Sequence, residues 1–261
     1  MTAEPSGAPE PIRAPEPRGF TAELPAQDEP EIGQELIVVR LDDGTVEEVR
    51  LHDYQRLYSF PGLYEQIVHG RLGCRSPQEI ASMLALAIGG LGWDHNRVRV
   101  LDVAAGNGVS GEALAAHGLR SVLGVDIVPA AREAALRDRP HLYEKYLTVD
   151  LLALSPAERG AIRALGANAL SCVAPVGEHP QQLPPPALAA AVGLMAPDVL
   201  VAFMHDPSFG TPDRVTPELW TEELGPRTRA ELVERRRYVH RYTVGGEPIE
   251  MDGVVLRVRR S

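Results

Sequence analysis

One lysine, two cysteines and few aromatic residues occur in 261 positions, and each shortage excludes something. Cys74 and Cys172 make no disulfide framework. Cys172 lies in an apolar stretch and reads as a buried thiol rather than a nucleophile. Lys145 is the single lysine, so nearly all positive charge is arginine. No apolar run is long enough to span a bilayer. Met1 to Phe20 lack a basic region followed by an apolar one, so no secretory signal is expected. The net charge of −10 has the wrong sign for a chain that neutralises a phosphate backbone. These shortages point to a soluble, cytoplasmic protein with neither a membrane nor a nucleic acid as partner. Arg227, Arg229, Arg235, Arg236, Arg237, Arg241, Arg257, Arg259 and Arg260 gather toward the C-terminus. They read as solvated charges that guard sheet edges; an anionic partner is the sharper alternative.

The apolar fraction, 44%, suffices for a core. Residues 1–30 are rich in Pro, Ala and Glu without an apolar period, and are expected to form a disordered tail. Residues 31–75 are expected to hold a hairpin, Leu36 to Leu41 and Val46 to Leu51 around Asp42-Asp43-Gly44-Thr45, followed by two short helices broken at Pro61-Gly62. Residues 76–261 alternate apolar strands with helical patterns, the α/β signature. Ser76-Pro77-Gln78-Glu79 and Ser155-Pro156-Ala157-Glu158 read as capping boxes. Strands are expected at Val98 to Val103, Val122 to Asp126, Tyr146 to Val149, Ala169 to Val173 and Val199 to Met204. A helix is expected from Thr216-Pro217-Glu218. Arg237 to Val244 and Val254 to Val258, flanked by Gly245-Gly246 and Asp252-Gly253, read as an antiparallel hairpin. The fold class is therefore α/β, a Rossmann-like doubly wound sheet of seven strands. It is mostly parallel, with an antiparallel C-terminal hairpin strand and an N-terminal hairpin and helical lid.

Val98 to Gly111, VRVLDVAAGNGVSG, carries the chemistry. A buried strand runs into a turn of small residues, and a helix follows at once. Glycine lets a ligand approach the backbone, and the helix start offers unpaired N–H groups and a positive dipole end. Gly106-Asn107-Gly108-Val109-Ser110-Gly111 matches the dinucleotide pattern G-x-G-x-x-G, with Asp126 at a plausible distance for a ribose. Asp102 weighs against a dinucleotide, because a carboxylate repels a pyrophosphate. It suits an ammonium, and S-adenosylmethionine carries one on its amino-acid tail.

Asp102-Val103-Ala104-Ala105-Gly106-Asn107-Gly108 resembles the first motif of the class I S-adenosylmethionine-dependent methyltransferases. Ala104 stands where that family usually has glycine. Gly124-Val125-Asp126-Ile127 resembles the second motif, and Leu147-Thr148-Val149-Asp150-Leu151 the third. The resemblance implies S-adenosyl-L-methionine as cofactor, held by Asp102, Ala104, Gly106, Gly108, Asp126, Ile127, Asp150 and Leu151. It implies methyl transfer to an O or N atom of a small molecule by in-line displacement. Cys172-Val173-Ala174-Pro175-Val176-Gly177 lacks the Asp/Asn-Pro-Pro-aromatic motif of enzymes that methylate nucleobase amines.

Such a displacement depends on alignment, helped by a base when the acceptor is a hydroxyl or amine. His205 is the candidate base, with His179 and Asp206 as weaker neighbours. Tyr58 and Tyr64 are the candidate lid and substrate residues. No metal site is expected, since no ligand spacing motif is present. Two alternatives remain. One is an NAD(P)-dependent oxidoreductase, though not a short-chain one, because His141 occupies the place of the tyrosine four residues before Lys145. The other is a non-catalytic binding subunit.

Overall fold

The computed structural model describes residues 19–27, 33–177, 182–207, 225 and 227–260. Three antiparallel strands come first: β1 (Phe20–Glu23), β2 (Leu36–Leu41) and β3 (Val46–Arg50), in the order β1-β2-β3. The hairpin β2–β3 is where the sequence placed it. Strand β1 is not: it falls inside the segment expected to be a disordered tail. Phe20 and Ala22 face inward from β1, and the strand pairs with β2 from Phe20↔Leu41 onward. The apolar partners, Leu41 and Val39, lie far downstream, so a local pattern could not reveal them. Helix α1 (Tyr54–Leu57) and a π-helix (Glu65–Arg71) follow. With the small sheet they enclose Ile37, Val39, Leu57, Leu63 and Ile67, forming a cap on the main domain.

Helix α2 (Ser76–Gly90) buries Ile80, Met83, Leu84, Ala87 and Ile88, a single stripe at helical spacing. Ser76 does not cap it. The N-cap is Arg75, and the Ser76 hydroxyl instead lies 2.6 Å from His240 Nδ1 and accepts from the Tyr238 hydroxyl at 2.8 Å. A tertiary partner outcompetes the local cap here. The helix runs on through Gly89 and Gly90.

Then come β4 (Arg99–Val103), α3 (Val109–Ala116), β5 (Arg120–Asp126), α4 (Pro129–Asp138), β6 (Lys145–Thr148), α5 (Pro156–Arg163), β7 (Ala169–Pro175), α6 (Pro185–Val192) and β8 (Asp198–His205). Helix α5 keeps its capping box: the Ser155 hydroxyl accepts from Glu158 N–H while the Glu158 carboxylate accepts from Ser155 N–H. The chain closes with β9 (Thr228–Tyr242) and β10 (Pro248–Arg260). Both are longer than the sequence indicated, and Asp252-Gly253 lies inside β10 rather than in a turn. Asp252 is paired there with Arg235 and Arg237. A Cβ on Gly253 would lie 2.5 Å from Met83 Sδ of α2, so this glycine serves packing. The helix expected from Thr216 lies outside the described residues.

The main sheet has the order β6-β5-β4-β7-β8-β10-β9. Only β10 runs against the others, because it is antiparallel to both β8 and β9. Alternate residues of the central strands feed two layers. Leu101, Val103, Leu170, Cys172, Val201 and Phe203 pack on α5 and α6. Val100, Ala169, Leu200, Ala202 and Met204 pack on α2 and α3. Strands covered on both faces read as continuous apolar runs. The chain winds from β4 to β5 and β6 on one side, and to β7 and β8 on the other. The crevice between β4 and β7 is therefore the switch point where open α/β sheets bind ligands.

The C-terminal arginines are paired as edge charges. Arg257 meets Asp198, Arg259 meets Glu231, and Arg236 meets Glu234 and Glu79. Arg241 is buried against Glu35 of the cap at 2.6 Å.

Candidate functional site

The turn after β4 lies at the switch point, and its backbone is unusual. Ala104, Gly106 and Gly108 have φ of 54°, 55° and 92°, and Ala104 is the only non-glycine residue with positive φ among the described residues. An L-residue in that region costs roughly 1–2 kcal/mol, so the surroundings must hold the turn in shape. Asp126, at the end of β5, does so. Its Oδ2 accepts from Gly106 N–H and its Oδ1 from Val128 N–H, both at 2.9 Å. The Tyr146 hydroxyl donates to the Gly106 carbonyl at 2.6 Å. Burial pushes the Asp126 carboxyl pKa up, and the backbone N–H groups oppose that shift.

Asp102 is fully buried. Its Oδ2 accepts from the hydroxyls of Ser110 and Tyr143, each at 2.7 Å, while Oδ1 is buried without a partner. Burial pushes its pKa up to about 7 against those two hydrogen bonds. Ser171 lies directly across from it on β7, and the Ser171 hydroxyl is also buried without a partner. Two adjacent strands thus bring a carboxylate oxygen and a hydroxyl together with hydrogen-bonding capacity left over, which is rare for buried polar groups.

The glycines serve neighbours within the chain. A Cβ on residue 106 would lie 2.6 Å from the Tyr58 hydroxyl. A Cβ on residue 108 would lie 3.0 Å from Leu142 Cδ2 and 3.1 Å from Arg139 Cδ. Tyr58, expected as a lid residue, therefore lies directly over the turn. It belongs to a run of ring contacts, Tyr54–Tyr58–Tyr64–His69, with centroids 5.3–5.7 Å apart. Tyr64 takes part in that run, against Tyr58 and His69.

Past Asp126, Ile127 is 64% exposed. Past β6, Asp150 is exposed and its Oδ1 accepts from Leu152 N–H at 2.8 Å. Leu151 is buried in the core cluster beneath the sheet, and its neighbour Leu152 is 54% exposed. His205 ends β8. It is buried, with Nδ1 at 3.1 Å from the Val176 carbonyl and Nε2 buried without a partner. Asp206 beside it is buried too. His179 lies outside the described residues. Residues the sequence reading missed are Tyr143, Tyr146, Ser110, Arg139 and Glu65. Ser110 lies within the glycine motif itself, eight residues from Asp102; the other four act on segments distant in sequence, which no local pattern marks. A cavity of 660 Å³ runs along the edge strand β6, lined by Arg132, Leu136, Lys145 and Thr148 and by Arg139, Tyr143 and Tyr146, the residues that bond to the turn and Asp102.

Neither a family model nor a curated protein sequence matches the chain. Solved structures do. An S-adenosylmethionine-dependent methyltransferase from Anabaena variabilis is 14% identical, with a TM-score of 0.50 over 80% of this chain and 93% of that one. The chain has the fold of the S-adenosylmethionine-dependent methyltransferases. A TehB-like methyltransferase from Corynebacterium glutamicum (16% identical, TM-score 0.41, 68% and 86% covered) and a Pyrococcus horikoshii protein described as an RNA methyltransferase (16%, 0.49, 72% and 84%) score lower and add no argument.

The residues present suit such a cofactor. Tyr58, Leu142 and Arg139 pack against the backbone at 106 and 108, and α3 begins directly after the turn with no side chain capping its first N–H groups. Asp102 Oδ1 and Ser171 Oγ retain hydrogen-bonding capacity, and acidic residues end β5 and follow β6. No helix among the described residues is long and apolar enough to cross a membrane.

Proposed function

We propose that the protein transfers a methyl group from S-adenosylmethionine to a nitrogen or oxygen of a small molecule. The observation that carries this reading is the glycine turn at the switch point, held by Asp126 beside the unsatisfied Asp102 and Ser171. The cofactor, when bound, supplies an electrophilic methyl on a sulfonium. Asp126 and the turn would hold it at the ribose and methionine ends, with Ile127 and Asp150 toward the adenine. An ammonium near Asp102 would lower the cost of that buried carboxylate, because an opposite charge favours ionisation.

His205 is the residue fitted to move a proton. Its Nδ1–H donates to Val176, which leaves the Nε2 lone pair free to accept. A small acceptor agrees with the net charge of −10 and with arginines spent on internal pairs. Nucleic acid demands the opposite balance.

Titration calorimetry with S-adenosylhomocysteine tests the cofactor reading. Saturable one-to-one binding is expected, and no heat at millimolar ligand overturns it. For the acceptor, His205→Asn is expected to flatten the pH dependence of turnover and leave S-adenosylhomocysteine affinity unchanged. An unaltered pH profile removes His205 as base.

A further inference from the structure

Arg139 follows the last residue of α4, and one guanidinium there joins four parts of the chain. Its Nε donates to Glu112 of α3 at 2.8 Å. Its Nη1 donates to Glu65 of the cap at 3.0 Å and to the carbonyl of Asn107, inside the glycine turn, at 3.2 Å. Its Cδ lies against Gly108, where a Cβ would come within 3.1 Å. The Arg139 side chain is 8% exposed and that of Glu65 only 1%. Glu65 Oε2 is buried without a partner, so the carboxylate depends on this one cation. Burial pushes the Glu65 carboxyl pKa up, and Arg139 opposes the shift. A lysine could neutralise Glu65 but could not reproduce the fork.

We infer that Arg139 is a positioning residue that couples the cap to the glycine turn, so that loosening Glu65 in the cap deforms the turn through Asn107 and Gly108. Neither residue touches the cofactor in this reading. The coupling stands on the geometry alone; only its effect on ligand affinity rests on the proposed cofactor.

Hydrogen–deuterium exchange on the ligand-free protein tests the coupling. In Glu65→Gln, amides of residues 105–111 are expected to exchange roughly tenfold faster along with those of 65–71, a ratio usual for coupled sites. Arg139→Lys, which keeps a positive charge against Glu65, is expected to do the same, and it serves if the first variant fails to fold. Exchange that rises only in 65–71 while 105–111 stay protected overturns the proposal. In the second measurement, both variants are expected to bind S-adenosylhomocysteine roughly tenfold more weakly than wild type. Unchanged affinity in folded variants means that Arg139 is merely structural, and also overturns it. If wild type itself binds no S-adenosylhomocysteine, the cofactor reading falls and the exchange pattern alone decides the coupling.

Discussion

Strands β4, β7 and β8 are covered on both faces by apolar side chains, and Phe203, Leu101 and Ile80 are among those sealed from water. The cap has a similar core of its own, from Ile37 to Leu72. Its junction with the sheet is different. There the cap sets Tyr58 against Ala130, Ala131 and Ala134 of α4 and adds two buried ion pairs, Glu35–Arg241 and Glu65–Arg139, and two backbone bonds, Arg75 N–H to His240 and Tyr242 N–H to Leu72. Apolar burial is non-directional and tolerates small shifts. A buried ion pair fixes one geometry and is costly when one partner is lost. The sheet is thus built for stability, and the seam fixes where Tyr58 sits over the turn.

The largest effect should come from the sheet. Phe203→Ala removes a fully buried ring at the centre of one layer and is expected to cost about 3–5 kcal/mol in urea unfolding. A cost below about 1 kcal/mol would mean that this layer is not the main source of stability. At the seam, Arg241→Gln leaves Glu35 buried without its cation, and about 3 kcal/mol of destabilisation is expected. Hydrogen exchange should rise in residues 33–75 while β4, β7 and β8 stay protected. Equal deprotection of both regions would erase the contrast between them.

The two regions should also respond oppositely to pH. Burial pushes His69 and His240, at the seam, down to about 4 and about 3. The unfolded chain takes up their protons near the ordinary value of 6.5, whereas the folded chain does so only near 4 and 3. Their contribution therefore falls as pH drops from 6.5 toward 3. Asp102, in the sheet, is pushed from 3.8 up to about 7. The folded chain holds that proton over a range where the unfolded chain has lost it, so its contribution falls as pH rises from 3.8 toward 7. His240→Asn is expected to lessen the loss of stability on acidification below 6.5, and Asp102→Asn the loss on raising the pH from 3.8 toward 7. Melting temperatures from pH 4 to 8 check both; profiles that overlay wild type would remove the contrast. The smallest effect should come from the surface of the sheet domain. Ser155→Ala deletes the α5 capping box and is expected to cost about 1 kcal/mol, with no change in the cap.

Much of the sheet was legible because its signals are local. An apolar run ending in Ala104 to Gly108 and followed by a helix marks the carboxyl end of β4, and similar runs mark β5 to β8. The Ser155 capping box needs only four residues and survives unchanged. The same four-residue signal at Ser76 failed, because His240 and Tyr238 offer its hydroxyl better partners. Strand β1 was hidden because Phe20 and Ala22 become an inner face only beside β2. The site divided the same way. Spacing singled out Asp102, Gly106 and Asp126, but only the tertiary structure places the Tyr143 and Ser110 hydroxyls on Asp102 and Leu151 in the core cluster.

Hydrophobic period and turn chemistry, which act over a few residues, determined by themselves that this chain forms a wound α/β sheet with a glycine turn at its switch point. Only the tertiary structure decided what occupies the space those glycines leave. Tyr58, Arg139 and Leu142 reach the turn from segments some 30 to 50 residues away, and their placement depends on how the cap and α4 dock. Packing of that range follows from the shape of the assembled chain, which no short window of sequence contains.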